Sequence, residues 1–488
     1  MESPARTIAR KVRAGVSLYA FSLLAPRLVR LVTLPIVVRT VTPADYGAFA
    51  TLWPLLVILH TACDLGIGTA SVRLAPERSS PAARRTLFST AVASRAVLSC
   101  ALTALCTALA KPLARFLLGS DSYEGAVVFT VLGLPFVSVF DALADELRSR
   151  EAHRTVALLM VVRTLCVNVV MVAFVLAGLG LRGLVLSRTA TEAVLLVVAL
   201  VVCLPFVRAR PSLAELRRIL AFGVPFGLLY FLATVREVDR VVIRALSSVE
   251  HVAGYDLAMR VVAPVSLSNV ALALVLEPHV YRHADSADTP RFVGEFLRAY
   301  SAAFSTVAMI VACLAPEIFR ILAPASYEEG IVASAPLVFA YVCDGVLRVA
   351  GIGADLAKKT RVWVFGSVTT VVVSLPLTAL LVPRVGITGA GVALLAGVAT
   401  ATVVTSRLSR RVSALRPPVA LALVVPLVGA ALGGAALQVG LPLPARLALL
   451  AVYSWGAFRA CRTRLLALAG LANFAEDSSG SAPAGGTS

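Results

Sequence analysis

Leu179-Gly180-Leu181-Arg182-Gly183 returns further along the chain as Val385-Gly386-Ile387-Thr388-Gly389. Ser122-Tyr123-Glu124-Gly125 returns as Ser326-Tyr327-Glu328-Glu329-Gly330, and Val38-Arg39-Thr40 with Tyr46-Gly47 returns as Ile243-Arg244-Ala245 with Gly254-Tyr255. The three recurrences share one displacement of roughly 205 residues, so the chain carries two copies of a single unit. Each copy is filled with long apolar runs. A duplicated membrane unit is the usual plan of a transporter whose substrate site lies between the halves.

Working outward from these blocks, 59% of the 488 residues are hydrophobic, 15% are charged and the mean hydropathy is +0.88. Ordinary soluble domains are far less apolar. A hydrocarbon core about 30 Å thick needs roughly 20 apolar residues per helix, and about fourteen runs meet that length. They lie near 16–38, 47–70, 86–110, 125–145, 156–178, 183–206, 218–244, 255–277, 296–320, 331–354, 361–383, 386–406, 418–438 and 445–467. The expected fold is an all-α membrane protein of about fourteen transmembrane helices. Six runs per copy is an even number, so the copies enter from the same side as parallel repeats. They form two lobes around a central cavity, 16–206 and 218–408, with two extra transmembrane helices in 409–467. Residues 1–15 are a basic N-terminus, 207–217 a basic linker suited to lying on lipid headgroups, and 468–488 a polar, disordered tail.

The net charge of +18 could point to nucleic acid, so its placement decides. Basic residues crowd alternate loops in a ratio of roughly 27 to 8, which the positive-inside rule reads as topology. Both termini are then expected in the cytoplasm, the chain in the cytoplasmic (inner) membrane, and nucleic acid is set aside. The first run is broken by Pro26, Arg27 and Arg30 with no small-residue cleavage site after it, so it is read as a retained helix rather than a signal peptide. The eight cysteines fall in apolar runs without CxxC spacing and read as small core residues. No phosphate-loop motif occurs, and no large outer loop or acidic cluster suits a glycan polymerase or ligase; an enzyme is not expected, and no cofactor. His279 and His283 share one helical face after Pro278, but no third ligand accompanies them, so no metal is expected either.

Charged side chains inside the runs carry the functional reading, because an ion at the bilayer centre normally faces a hydrated cavity or a partner. Run one holds Arg27 and Arg30. Run seven holds Arg236, Glu237, Asp239 and Arg240, where Glu237–Arg240 and Arg236–Asp239 stand at i,i+3 and can partly neutralise each other; run eight holds Asp256 and Arg260, and run ten Asp344 and Arg348 at i,i+4. Arg95, Arg163, Asp64 and Asp141 stand singly, and Arg27, Arg30, Arg95 and Arg163 have no acidic partner nearby in sequence. The expected substrate-binding cations are Arg27, Arg30, Arg236, Arg240, Arg260 and Arg348, lining a cavity suited to phosphate or carboxylate. Asp64, Asp141, Asp239 and Asp344 are the expected ion-coupling or charge-pair residues. His60 reads as a hydrogen-bonded core residue ahead of a proton carrier. The prolines Pro26, Pro35, Pro225, Pro264 and Pro336 are expected to kink their helices.

Several blocks resemble the polysaccharide transporter family of the multidrug/oligosaccharidyl-lipid/polysaccharide flippase superfamily over about 17–411. In the first copy they are Arg30…Leu34-Pro35-Ile36-Val37-Val38-Arg39…Pro43-Ala44-Asp45-Tyr46-Gly47 and Asp64-Leu65-Gly66-Ile67-Gly68…Arg73. In the second they are Phe222-Gly223-Val224-Pro225, Asp239-Arg240, Gly254-Tyr255-Asp256-Leu257-Ala258-Met259-Arg260, Glu277-Pro278…Tyr281-Arg282, Ser326-Tyr327 and Leu381-Val382-Pro383…Gly386-Ile387-Thr388-Gly389-Ala390-Gly391. The resemblance implies a two-lobed flippase that moves undecaprenyl-pyrophosphate-linked oligosaccharide to the outer leaflet by alternating access, for polysaccharide or lipopolysaccharide biosynthesis. Membrane lipids, and the glycan polymerase and glycosyltransferases of the same pathway, would be its partners. Related peptidoglycan-precursor flippases carry an acidic residue after the first-span arginine, where this chain has Leu31 after Arg30. The alternative within the superfamily is a drug/cation antiporter, whose cavity favours cations through acidic residues.

Overall fold

The structure is a computed structural model that describes residues 29, 32–203, 206–284 and 286–461. Among the described residues every regular element is a helix. The first copy opens with α1 (32–40) and α2 (Pro43–Asp64), where Thr42 accepts a hydrogen bond from the Asp45 N–H and Pro43 sits in the first turn. Both features favour helix initiation, since the first-turn N–H groups lack intrahelical partners. Then follow α3 (Ile67–Leu74), α4 (Pro81–Ala108), α5 (Ala110–Leu118), α6 (Glu124–Leu132), α7 (Leu134–Ser149), α8 (His153–Leu176) and α9 (Gly180–Cys203). The second copy comprises α10 (Leu213–Thr234), α11 (Asp239–Leu246), α12 (Val249–Val262), α13 (Leu267–Arg282), α14 (Thr289–Leu322), α15 (Glu329–Leu356), α16 (Arg361–Val385) and α17 (Ile387–Val412). Two more helices, α18 (Val419–Gln438) and α19 (Leu443–Ala460), follow.

Among the described residues, 10 helical stretches are long and apolar enough to cross a membrane, and they match runs two to six and nine to thirteen. The protein is therefore a multi-pass membrane protein. The other runs fall short for visible reasons. Most of the first lies outside the described residues, and the last carries Arg446 and Arg459 and extends past them. Runs seven and eight are discontinuous. A 3-10 turn at Val235–Val238, carrying Arg236 and Glu237, separates α10 from α11, and another at Ala263–Ser266, carrying Pro264, separates α12 from α13. Proline removes a helical donor, and broken backbone at membrane depth persists only where protein or water satisfies it.

The repeated blocks fold alike. Both Ser-Tyr blocks form a 3-10 turn ahead of a long apolar stretch, at Asp121–Tyr123 and Ala325–Tyr327. Gly180 and Gly386 both adopt positive φ, 51° and 64°, where a hairpin turns into α9 and α17. A side chain at Gly183 or Gly389 would strike the helix just left, at Phe174 and at Leu381 respectively. The same local solution at the same repeat position supports a duplicated unit.

The chain packs as two compact units, Met1–Leu257 with Phe319–Glu328 and Ala258–Ile318 with Glu329–Ser488. The first is cored by Ile67, Leu87 and Phe88 beneath Ile219, and by Phe140, Leu143 and Leu195. A bend separates α2 from α3, where Leu65 and Gly66 take φ of 45° and 73°. A Cβ on Gly66 would overlap the Gly223 carbonyl of α10. Gly66→Ala is expected to cost about 2–4 kcal/mol, from left-handed strain plus helix displacement. Gly178→Ala, at φ 80° with open space around it, isolates the backbone part, about 1 kcal/mol. Thermal unfolding of both variants in detergent measures the difference.

In the second unit α15 is buried nearly all round, as a helix apolar on every face should be. The helices beyond the duplication pack onto this unit: α18 lies along α15, with Gly429 against the Phe339 ring. Arg446 of α19 is buried, forks onto Glu317 of α14 at 2.6 and 3.0 Å and also donates to the Cys313 carbonyl. Tyr453 donates to the Val425 carbonyl at 2.8 Å.

Candidate functional site

In the first unit, five helices bring their charged residues to one place. Asp64 ends α2 with its carboxylate aimed at the start of α3, where Oδ1 accepts the Gly68 N–H at 3.0 Å. The same oxygen meets the guanidinium of Arg95 from α4. Arg95 also lies 3.4 Å from Asp145 of α7, and Asp145 accepts from Arg148 at 2.6 Å. One turn earlier on α7, Asp141 sits between His60 Nε2 at 3.0 Å and Arg163 Nη1 of α8 at 2.9 Å. Arg163 donates onward to Glu192 Oε1 of α9 at 2.8–2.9 Å and faces the Phe140 ring. Gly68 leaves the space this network occupies, because a Cβ there would run into Asp145 and Arg95. Asp64 and Asp141 are thus members of ion pairs. Arg95 and Arg163, without acidic partners nearby in sequence, find them across helix interfaces. Their partners stand on other helices, 31 and 50 residues away for Arg95 and 22 and 29 for Arg163, where a search at helical spacing cannot see them.

A second network joins α11, α12 and α2. Arg240 is buried and surrounded by acids: Glu237 at 2.7 Å, Asp256 at 3.1 Å and Asp239 at 3.4 Å. Tyr255 donates to Asp239 Oδ2 at 2.6 Å, and Tyr46 donates to Asp256 Oδ2 at 2.8 Å. The edge of Tyr46 meets Tyr327, with ring centroids 6.0 Å apart. Arg240 is therefore a neutralised member of a structural knot rather than a bare cation. The expected Glu237–Arg240 pair is present, and Asp239 serves both Arg240 and Tyr255. The side chain of Arg236, with Arg27 and Arg30, lies outside what the structure describes.

In the second unit Asp344 and Arg348 of α15 both make contacts to α13. Arg348 reaches Glu277 of α13 at 3.6 Å, while Asp344 accepts from Asn269 at 3.0 Å, and Asn269 accepts from Tyr300 at 3.1 Å. Arg260, half-buried on α12, belongs to this unit. Among the described residues no three His, Cys, Asp or Glu side chains are grouped to hold a metal ion. His279 stacks on His283 and Phe292, each at 4.5 Å, and its imidazole is pushed below its ordinary pKa by burial and by the neighbouring His283 and Arg282.

Sequence reading passed over Asp145, Arg188 and Glu192. Each is charged and lies inside an apolar run, the signal that had singled out the others. Arg188 lies over the Trp53 ring at 4.2 Å, beside a small pocket lined by Phe49, Leu52, Trp53, Arg188 and Thr189 among others.

A family model described as polysaccharide biosynthesis protein matches residues 12–282, more than half of the chain. The chain belongs to the polysaccharide biosynthesis protein family. Its two-lobed, all-helical fold is like that of solved flippase and multidrug-transporter structures. The lipid II flippase MurJ in an inward closed conformation aligns with a TM-score of 0.71 at 10% identity, covering 91% of this chain and 100% of that one. An inward-facing multidrug resistance MATE family transporter aligns with a TM-score of 0.64 at 15% identity, covering 81% and 98%. The Vibrio cholerae MATE transporter VcmN in its bent form gives 0.55 at 14%, covering 87% and 98%. At these identities the structural matches speak for the fold alone. No curated protein matches by sequence.

Proposed function

We propose that this protein flips undecaprenyl-pyrophosphate-linked oligosaccharide from the cytoplasmic to the outer leaflet of the inner membrane, with both termini in the cytoplasm, and catalyses no chemical step. The observation that carries this reading is the polysaccharide-biosynthesis match over residues 12–282, joined to the fold shared with a lipid II flippase. Arg27, Arg30 and Arg236 are its pyrophosphate-binding cations; Arg240 contributes indirectly, held by three acids. The fold it shares with multidrug transporters, and the partnered state of Arg95 and Arg163, favour the drug/cation antiporter as the second reading.

Deleting the gene separates these. A flippase deletion is expected to abolish surface glycan and leave complete lipid-linked oligosaccharide on the inner leaflet, restored by the wild-type chain. Loss of drug resistance with glycan intact would establish the antiporter instead, and unpolymerised glycan on the outer leaflet would establish a polymerase or ligase.

A further inference from the structure

We propose that Arg39 and Arg244 are the two halves of one reciprocal latch. Through it each copy of the duplicated unit grips a helix end of the other and holds the outer side of the protein shut. The two arginines occupy the same position of the repeat, in Val38-Arg39-Thr40 and Ile243-Arg244-Ala245. Nη2 of Arg39, near the end of α1, donates to the carbonyls of Arg320 at 3.1 Å and Ile321 at 2.9 Å, in the last turn of α14. Nη1 of Arg244, in the last turn of α11, donates to the Phe116 carbonyl at 3.3 Å, in the last turn of α5. The acceptors match as the donors do, because Phe116 and Arg320 each stand six residues before the serine of a repeated Ser-Tyr block. The first copy therefore holds the second as the second holds the first. All of these residues lie in the first compact unit, which takes Phe319–Glu328 from the second copy.

Both grips have a physical cause. The last carbonyls of a helix have no intrahelical donor and form the negative end of its dipole, so a guanidinium suits them as a cap. At α14 the Arg320 carbonyl would look to the residue four places on, which is Pro324 and has no N–H. At α5 the chain leaves the helix through Gly119, where a Cβ would strike the Arg244 guanidinium. The N–H groups that close the two helices are equivalent as well: Gly119 donates to the Ala114 and Arg115 carbonyls, and Ala323 to the Phe319 carbonyl. Further contacts join the copies nearby. Tyr46 of the first donates to Asp256 of the second and meets the Tyr327 ring, and a Cβ on Gly47 would overlap the Val249 carbonyl. Arg39 is exposed and Arg244 half-buried, and a hydrogen bond made in exchange for one to water is individually modest. The latch can therefore open without unfolding the helices it holds. On the proposed topology both arginines stand at the outer face, and on the proposed flippase reading the lipid-linked sugar leaves when the two grips release together.

The latch is tested by hydrogen exchange on the full chain in nanodiscs. A simple cap matters only to the helix it caps, whereas a latch opens both grips together. Arg39→Ala is expected to speed exchange about tenfold at Ala323 and by a similar factor at Gly119, on a helix that Arg39 does not touch. Arg244→Ala should do the same in reverse. Lysine at either position should give a smaller change at both sites, and Arg384→Ala, which removes a contact within one helix, should give none. Exchange in α15, which neither arginine touches, should stay as in the wild type. Exchange that rises only on the capped helix, or nowhere, overturns the latch. The gate is read in vesicles holding undecaprenyl-pyrophosphate-linked oligosaccharide. Gly119→Cys with Arg244→Cys, in a chain whose exposed Cys100 is replaced by serine, is bridged by a short cleavable bis-thiosulfonate. Bridging is expected to stop flipping and reduction to restore it, with the Cys100→Ser parent unaffected by either treatment. Flipping that continues in the bridged protein overturns the gate. Absence of flipping by the wild type under every condition overturns the flippase reading instead, and the exchange result then decides the latch by itself.

Discussion

Arg163→Ala is expected to destabilise the protein by about 3–5 kcal/mol, because it strands Asp141 and Glu192 together inside the first unit. The cost arises less from the lost attraction than from two carboxylates left without their shared cation in a medium that solvates charge poorly. Protonation can relieve part of it, so the loss should shrink at acid pH. Arg163→Lys keeps the charge but cannot fork between two acids, and should fall between wild type and alanine. Arg163→Ala with Asp141→Asn and Glu192→Gln should recover most of the loss, since the stranded charges go with it. Unfolding in detergent reads these differences. If Arg163→Ala unfolds like the wild type, the network is not the buried electrostatic core described here.

Arg30→Ala and Arg236→Ala are expected to reduce glycan export roughly ten- to a hundredfold in apparent affinity, the equivalent of about 1.5–3 kcal/mol for a charge-assisted contact with the pyrophosphate. Lysine at either position should be intermediate, keeping charge and losing the fork. Arg384 provides the control. It is exposed, its Nη1 donates to the Leu380 carbonyl of its own helix, and alanine there should be tolerated. Surface glycan measured at equal membrane abundance checks each variant. Normal export by folded Arg30→Ala and Arg236→Ala would remove these arginines from the substrate's path.

Most of the fold was legible in sequence because its cues are local. The apolar runs follow from bilayer thickness, and Gly180, Gly386 and the two Ser-Tyr turns repeat because each copy solves the same turn the same way. The breaks at Val235–Val238 and Ala263–Ser266 were half-legible: Pro264 and the charged residues around Arg236 marked them, yet the runs read as unbroken. The ion networks were the least legible part. Arg95 with Asp64, and Arg163 with Glu192, meet only once α2, α4, α8 and α9 are packed. Neighbours at helical spacing include the Glu237–Arg240 pair, whereas the contacts of Asp344 and Arg348 reach beyond their own helix. In the second case Glu277 and Asn269 of α13 offered each residue a partner across the helix interface. The consequence for function is specific: Arg95, Arg163 and Arg240 have acidic partners, so the cationic excess inferred from the sequence loses these three.

The flippase reading is tested most directly with purified protein in vesicles carrying undecaprenyl-pyrophosphate-linked oligosaccharide in both leaflets and a membrane-impermeant glycosidase outside. Protein-containing vesicles are expected to expose the inner-leaflet oligosaccharide to cleavage, while protein-free vesicles keep it protected. Inner-leaflet oligosaccharide that stays protected in the presence of folded protein, while the same vesicles move a cationic drug, would contradict the flippase and establish the antiporter.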